Sequence, residues 1–167
     1  MSSPSDAADH VSRLMRMLEA HWVMTLATSP PQPGAPPHCA PLFYALGATA
    51  DDGAPILVFT SNPESVHGTH LGAGPTPSGA AIYLESETVG ELRGAQLRGP
   101  VDRLEAGDAR EADARTRYLK RHPVARDLLA AGRHRLYAMR VRWAKLTDNR
   151  LGFGQHPIVD FGRDLEV

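Results

Sequence analysis

Arg135-Leu-Tyr-Ala-Met-Arg-Val-Arg-Trp-Ala-Lys-Leu-Thr-Asp-Asn-Arg-Leu-Gly-Phe-Gly154 carries the clearest β signal in the chain. From Arg135 to Leu146, Tyr137, Met139, Val141 and Trp143 fall on one face and Arg140 and Arg142 on the other. This period of two predicts a strand. The β-rich run stops at Thr147-Asp148-Asn149, and Gly152 and Gly154 then bracket Phe153. Glycine frees the backbone for a tight turn or a close approach to another surface. Phe153 therefore stacks on a ligand or pins the C-terminal tail across another chain, and both readings stay open.

Working outward, five more strands are predicted upstream. Trp22 to Thr28 is the first, followed by a breaker-rich loop over Ser29 to Pro36. His38 to Leu46 is the second, Ile56 to Thr60 the third and Ala80 to Glu85 the fourth, after a Gly/Pro-rich loop from Gly72 to Gly79. Leu92 to Leu104 alternates throughout and is the fifth, with Gln96 and Arg98 on one face. After the third strand, Ser61 or Asn62 is expected to cap a short helix reaching about Leu71. Pro63 suits its first position and Glu64 its positive end.

Two longer helices complete the pattern. Asp6 to His21 places Ala7, Val11, Leu14, Met15 and Leu18 at helical spacing. Ala106 to His122 is supported by Glu111–Arg115 and Asp113–Arg117 pairs four apart, and Pro123 redirects it into a turn through Leu129. Six short antiparallel strands with interspersed helices suggest a small closed barrel with helices at its ends.

Composition bounds the function classes. The 167 residues suit one domain, with an N-terminal helix to residue 21, a barrel over 22–158 and a tail over 159–167. Hydrophobic residues at 42% and charged residues at 22% are ordinary for a soluble protein. A net charge of −1 argues against nucleic acid or an anionic membrane as partner. The chain shows no apolar run of membrane-spanning length and no secretory signal pattern. Cys39 is the lone cysteine, so no internal disulfide is possible, and a cytoplasmic location is expected.

Four segments together resemble the split-barrel flavoproteins related to pyridoxamine 5′-phosphate oxidase, most of all a small bacterial branch of YhbP-like proteins. They are Phe59-Thr60 with Ser65 and His67; Gly94-Ala-Gln-Leu-Arg-Gly99; Tyr118-Leu-Lys-Arg-His-Pro-Val-Ala-Arg126; and Lys145 to Gly154. The match in order and spacing runs from about Trp22 to Ile158. The resemblance implies a mainly β fold, a six-stranded antiparallel split β-barrel with flanking helices. It also implies a homodimer with FMN at the subunit interface.

In physical terms FMN needs an anion site for its phosphate, hydrogen bonds along the ring edge and an apolar wall. The helix start after the third strand offers free amides and a favourable dipole. Thr60, Ser61, Ser65 and His67 would add side-chain donors, and Gln96 and Arg98 charge-assisted bonds. The resemblance places His38, Ala40, Pro41 and Leu42 along the ring edge. One departure stands out: the turn after the third strand carries Glu64, Val66 and His67, with no Lys or Arg, where the relatives usually have one. Losing a charge-assisted bond costs about 1.5–3 kcal/mol, which would leave FMN partly or wholly absent on purification.

The same residues have plainer readings. Ser61, Asn62 and Pro63 suit any helix start, and Gln96 and Arg98 suit a solvated strand face. His67 and His70 are spaced to share a metal, but no further ligands accompany them, so none is expected. Arg140 and Arg142 are expected to face solvent or a second copy, and Tyr118 and Trp143 to pack in the core. No catalytic motif names a base. Two functions follow: a flavin-dependent oxidoreductase acting with a small-molecule substrate or reductant, or a non-catalytic protein holding haem, another nucleotide or a regulatory ligand. A homodimer is expected under both, because the Tyr137/Met139/Val141/Trp143 face is more apolar surface than a small monomer covers alone.

Overall fold

In the computed structural model, which describes residues 4–154 and 156–162, six strands close into a ring. They are β1 (Val23–Thr28), β2 (His38–Leu46), β3 (Ile56–Ser61), β4 (Thr76–Leu84), β5 (Arg93–Arg103) and β6 (Arg135–Arg140). Neighbours run β4-β1-β2-β3-β6-β5, and a β4–β5 ladder closes the barrel. Every ladder is antiparallel. Two further strands, β7 (Trp143–Asp148) and β8 (Ile158–Asp160), extend the sheet beyond β5. Among the described residues four helices accompany it: α1 (Pro4–Ala20), α2 (Val66–Leu71), α3 (Ala109–Arg121) and α4 (Arg126–Ala130).

Alternation along the strands fills the barrel. Met24, Leu26, Tyr44, Phe59, Leu97 and Tyr137 all belong to one buried cluster. α1 lays Leu14 and Leu18, one turn apart, into the same cluster, and the Tyr44 hydroxyl donates to the Leu18 carbonyl at 2.6 Å. Each fully buried leucine contributes about 1.5–3 kcal/mol, enough to seat the helix. The outward faces of β3 and β6 are covered too. Val58, Leu136 and Ala138 pack beneath Ala114, Tyr118 and Leu129 of α3 and α4.

Several local expectations are corrected. The sixth strand does not run unbroken from Arg135 to Leu146. It breaks after Arg140, where the Val141 amide turns to the Pro55 carbonyl and the Arg142 amide to the Arg98 carbonyl, each at 2.9 Å. The cause lies in β5, whose last residues pair with β6 and whose first half pairs with β7. Gly99 sits between, and a Cβ there would run into the Arg140 carbonyl. β4 starts at Thr76 within the expected loop, because Thr76 to Gly79 pair with Val101 to Arg98. Pro77 opposes Pro100, a position where neither ring needs an amide for the ladder. β8 lies within the expected barrel end and tail, and residues 163–167 of that tail lie outside the described residues.

The apolar face proposed to need a second copy is covered by the chain itself. Tyr137, Met139 and Val141 are wholly buried in the barrel. Tyr118 packs in the core as expected, whereas Trp143 is half-buried with the Arg98 guanidinium 4.5 Å above its ring. Arg140 and Arg142 both reach Asp52, at 2.6 and 3.2 Å. Phe153 is exposed, in a turn whose flanking Gly152 and Gly154 both hold positive φ.

Candidate functional site

The junction of β3 with α2 is built by a turn, and α2 starts later than its sequence suggests. Asn62 Oδ1 accepts from the Glu64 amide at 3.0 Å, and the Asn62 carbonyl accepts from the Ser65 amide and hydroxyl at 3.0 and 2.7 Å. This holds Pro63 and Glu64 outside the helix. Ser65, not Ser61 or Asn62, is the cap, its Oγ accepting from the Gly68 amide at 3.1 Å. A further amide, that of Thr69, is bonded to the Ser65 carbonyl. The Val66 and His67 amides, first in the helix, have no such acceptor among the described residues.

Three imidazoles meet here. His67 Nε2 lies 2.6 Å from Ser61 Oγ and 3.2 Å from Ser65 Oγ. His38, on β2, lies parallel to His67 with ring centres 6.0 Å apart, and edge-on to His70 at 6.3 Å. His70 Nδ1 is 3.1 Å from Thr28 Oγ1. Burial lowers the pKa of His67, and the charges of His38 and His70 lower it further. His67 therefore favours its neutral form near pH 7, beside the hydroxyls of Ser61 and Ser65. Among the described residues no three metal-binding side chains converge on one point.

Beside this cluster the barrel is split. β2 pairs with β1 from His38 to Phe43, but with β3 only from Tyr44 to Leu46. The β2 edge facing α2 is therefore open over residues 38–43. The Tyr44 amide bonds to Trp22 on the β1 side, so by alternation the His38, Ala40 and Leu42 backbones also point to β1. The groups on the open edge belong to Cys39, Pro41 and Phe43, and Pro41 offers only its carbonyl. Of the four candidates along β2, Pro41 alone thus presents its backbone to the gap. His38 contributes its ring, while Ala40 is buried and Leu42 packs against the barrel core.

The structure brings together His38, Ser61, Ser65 and His67, with Thr28 and His70 added. It sets three other candidates apart. Thr60 points to the opposite side of β3 from Ser61 and donates to the Arg135 carbonyl at 3.1 Å. Gln96 and Arg98 lie on the outer face of β5, exposed, three strands from His38 through β4 and β1. At about 4.8 Å per strand they cannot reach the Ser61–His67 cluster of the same chain.

Two features escaped the sequence reading. The open edge at Cys39 depends on where β2 leaves β3, which no local pattern encodes. The second is positive charge from another segment: Arg133 and Arg135 line a cavity of about 400 Å³ with Asn62, Pro63 and Glu64. The ladder pairs Ser61 with Arg135, and this long-range register delivers the cations.

The closed ring of six strands, with β2 leaving β3 after three residues, defines a split β-barrel. No family model matches the chain. A UPF0306 protein of Yersinia pseudotuberculosis is 30% identical over 155 residues, 93% of each chain. The chain belongs to the UPF0306 family. Among solved structures, a haem-binding protein of Mycobacterium smegmatis superposes with a TM-score of 0.67 at 22% identity, over 96% of this chain and 60% of that one. A Clostridium acetobutylicum protein of the pyridoxinephosphate oxidase family gives 0.62 at 10% identity, over 91% and 94%. An FAD-binding protein of Mesorhizobium loti gives 0.61 at 16% identity, over 80% and 88%. At these identities the likeness is one of fold.

Proposed function

We propose that the protein binds FMN between two copies of the chain and acts as a flavin-dependent oxidoreductase on a small molecule. The observation that carries this reading is the open edge of β2 facing the start of α2. It places unpaired backbone groups of Cys39 and Pro41 beside an anion-suited cluster of Ser61, Ser65 and His67. The names of structural neighbours, one FAD-binding and one of the pyridoxinephosphate oxidase family, support the same class. When bound, flavin supplies the electron or hydride transfer. The chain's own residues hold and orient it: the amides of Val66 and His67 and the nearby hydroxyls face the phosphate, and the β2 edge faces the ring.

Assembly completes the site in this reading. The outer face of β1, β4 and β5 carries small, half-buried residues, Thr25, Ala27, Gly79 and Ala81, flanked by exposed Phe43 and Tyr83. A second copy docked there would cover this face and bring Gln96 and Arg98 to the flavin of its neighbour. An absorbance spectrum of purified protein with and without added FMN tests the proposal. A flavin band that a reductant bleaches is expected; no binding at high micromolar FMN would remove the reading.

A second reading is a non-catalytic binding protein for haem, another nucleotide or a regulatory ligand. It is favoured by the absence of Lys and Arg from the His38–His67–His70 cluster. Native mass spectrometry identifies the bound molecule and separates the two.

A further inference from the structure

At the end of the barrel opposite α2, a cavity of about 460 Å³ opens between α1 and the ends of β4, β5 and β7. Its volume is in the range of small-molecule sites. Four guanidinium groups line it, from Arg13, Arg16, Arg93 and Arg150, against one carboxylate, Asp148. Arg150 is taken: it pairs with Asp148 in a bidentate geometry at 2.9 and 2.6 Å. Arg13, Arg16 and Arg93 make no ion pair among the described residues. The Nε of Arg93 is buried without an acceptor among the described residues. A buried donor left unmatched is costly, and an anion bound in the cavity would supply its acceptor. The pocket is electropositive enough to be felt by His21, whose pKa burial lowers first and Arg93 second.

The wall matters as much as the charge. Met17, Leu84 and Leu146 form an apolar side to the same cavity. Convergent cations over an apolar wall suit an organic oxyanion rather than a bare ion. A nucleic acid does not fit, because the charge is gathered in a recess on a chain of net charge −1.

We propose that this cavity is a binding site for a small organic anion, an apolar body ending in a phosphate or carboxylate, with Arg93 and Arg13 as its charge partners. The site is independent of the flavin reading, since it lies at the other end of the barrel and shares none of its residues.

Calorimetric titration of the wild-type protein with phenyl phosphate, phenylacetate and inorganic phosphate tests it. At least one aromatic anion is expected to saturate with a Kd below about 1 mM and to bind more tightly than inorganic phosphate. A preference for phenyl phosphate over phenylacetate identifies the head group as phosphate, and the reverse identifies carboxylate. Arg93→Met and Arg13→Gln should each weaken binding about tenfold or more, the loss of one charge-assisted bond. Arg13 lies on the outer helix α1, so its variant keeps the test open if Arg93→Met fails to fold. Lys120→Gln, exposed on α3 and outside both sites, should leave binding unchanged. The proposal is overturned if neither aromatic anion binds, if both arginine variants that fold bind as the wild type does, or if Lys120→Gln abolishes binding.

Discussion

His67 stands where the phosphate reading needs a cation, and it supplies one only conditionally. Burial and the neighbouring His38 and His70 hold its pKa below the ordinary histidine value of about 6.5. In the free protein the folded ring takes up a proton less readily than the unfolded one. Its contribution to stability is therefore complete above pH 6.5 or so and is lost as the pH falls below that value. A bound phosphate reverses the preference, because it favours the imidazolium. FMN affinity should thus rise as the pH falls through the same window, while the ligand-free melting temperature drops. Titrations of both quantities from pH 8 to pH 5 check this, and a flat Kd would contradict the assignment. His67→Lys should remove the pH dependence and tighten FMN binding about tenfold at neutral pH. At Gly99, alanine would press against the Arg140 carbonyl where the sheet changes partner. A loss of about 2 kcal/mol or more is expected by denaturant unfolding, as for other overpacked sites.

At the scale of elements, alternation and breakers made most strands legible. β2 spans His38 to Leu46 as its sequence predicts, because an apolar run lies between a proline-rich loop and Gly47. α2 was misplaced by one turn: Asn62 and Ser61 look like caps, but Asn62 closes its own turn and passes the cap to Ser65. Ser65→Ala should cost about 1 kcal/mol and weaken FMN binding, since the cap also fixes His67. Asp108, the cap of α3, provides the control. Asp108→Ala should lose a similar amount of stability with no change in FMN affinity, measured by thermal unfolding and flavin fluorescence. The break between β6 and β7 was illegible because it depends on β5 pairing with two strands in turn.

For the whole molecule, the proposed dimer needs a surface that could meet a second copy. Sequence alternation pointed to the Tyr137 face, which the barrel buries. The outer sheet carrying Phe43 and Tyr83 remains open, and Gln96 and Arg98 share it. The proposed dimer should give twice the chain mass in size-exclusion chromatography with light scattering, and Tyr83→Glu should leave a monomer with weaker FMN binding. A variant that stays dimeric and keeps its flavin would place the interface elsewhere. No helix among the described residues is long and apolar enough to cross a membrane.

By itself the sequence determined the longer helices, the first five strands in their order and the barrel they form. These follow from periodicities and caps that act over a few residues. It also marked Ser61, Ser65 and His67 as neighbours, because they lie within one turn of chain. Only the tertiary structure decided that His38 joins them, that Thr60, Gln96 and Arg98 do not within one chain, and that the β2 edge beside them is open. Those outcomes depend on which strand pairs with which and in what register. Such choices are made by the packing of the closed barrel, not by any single segment.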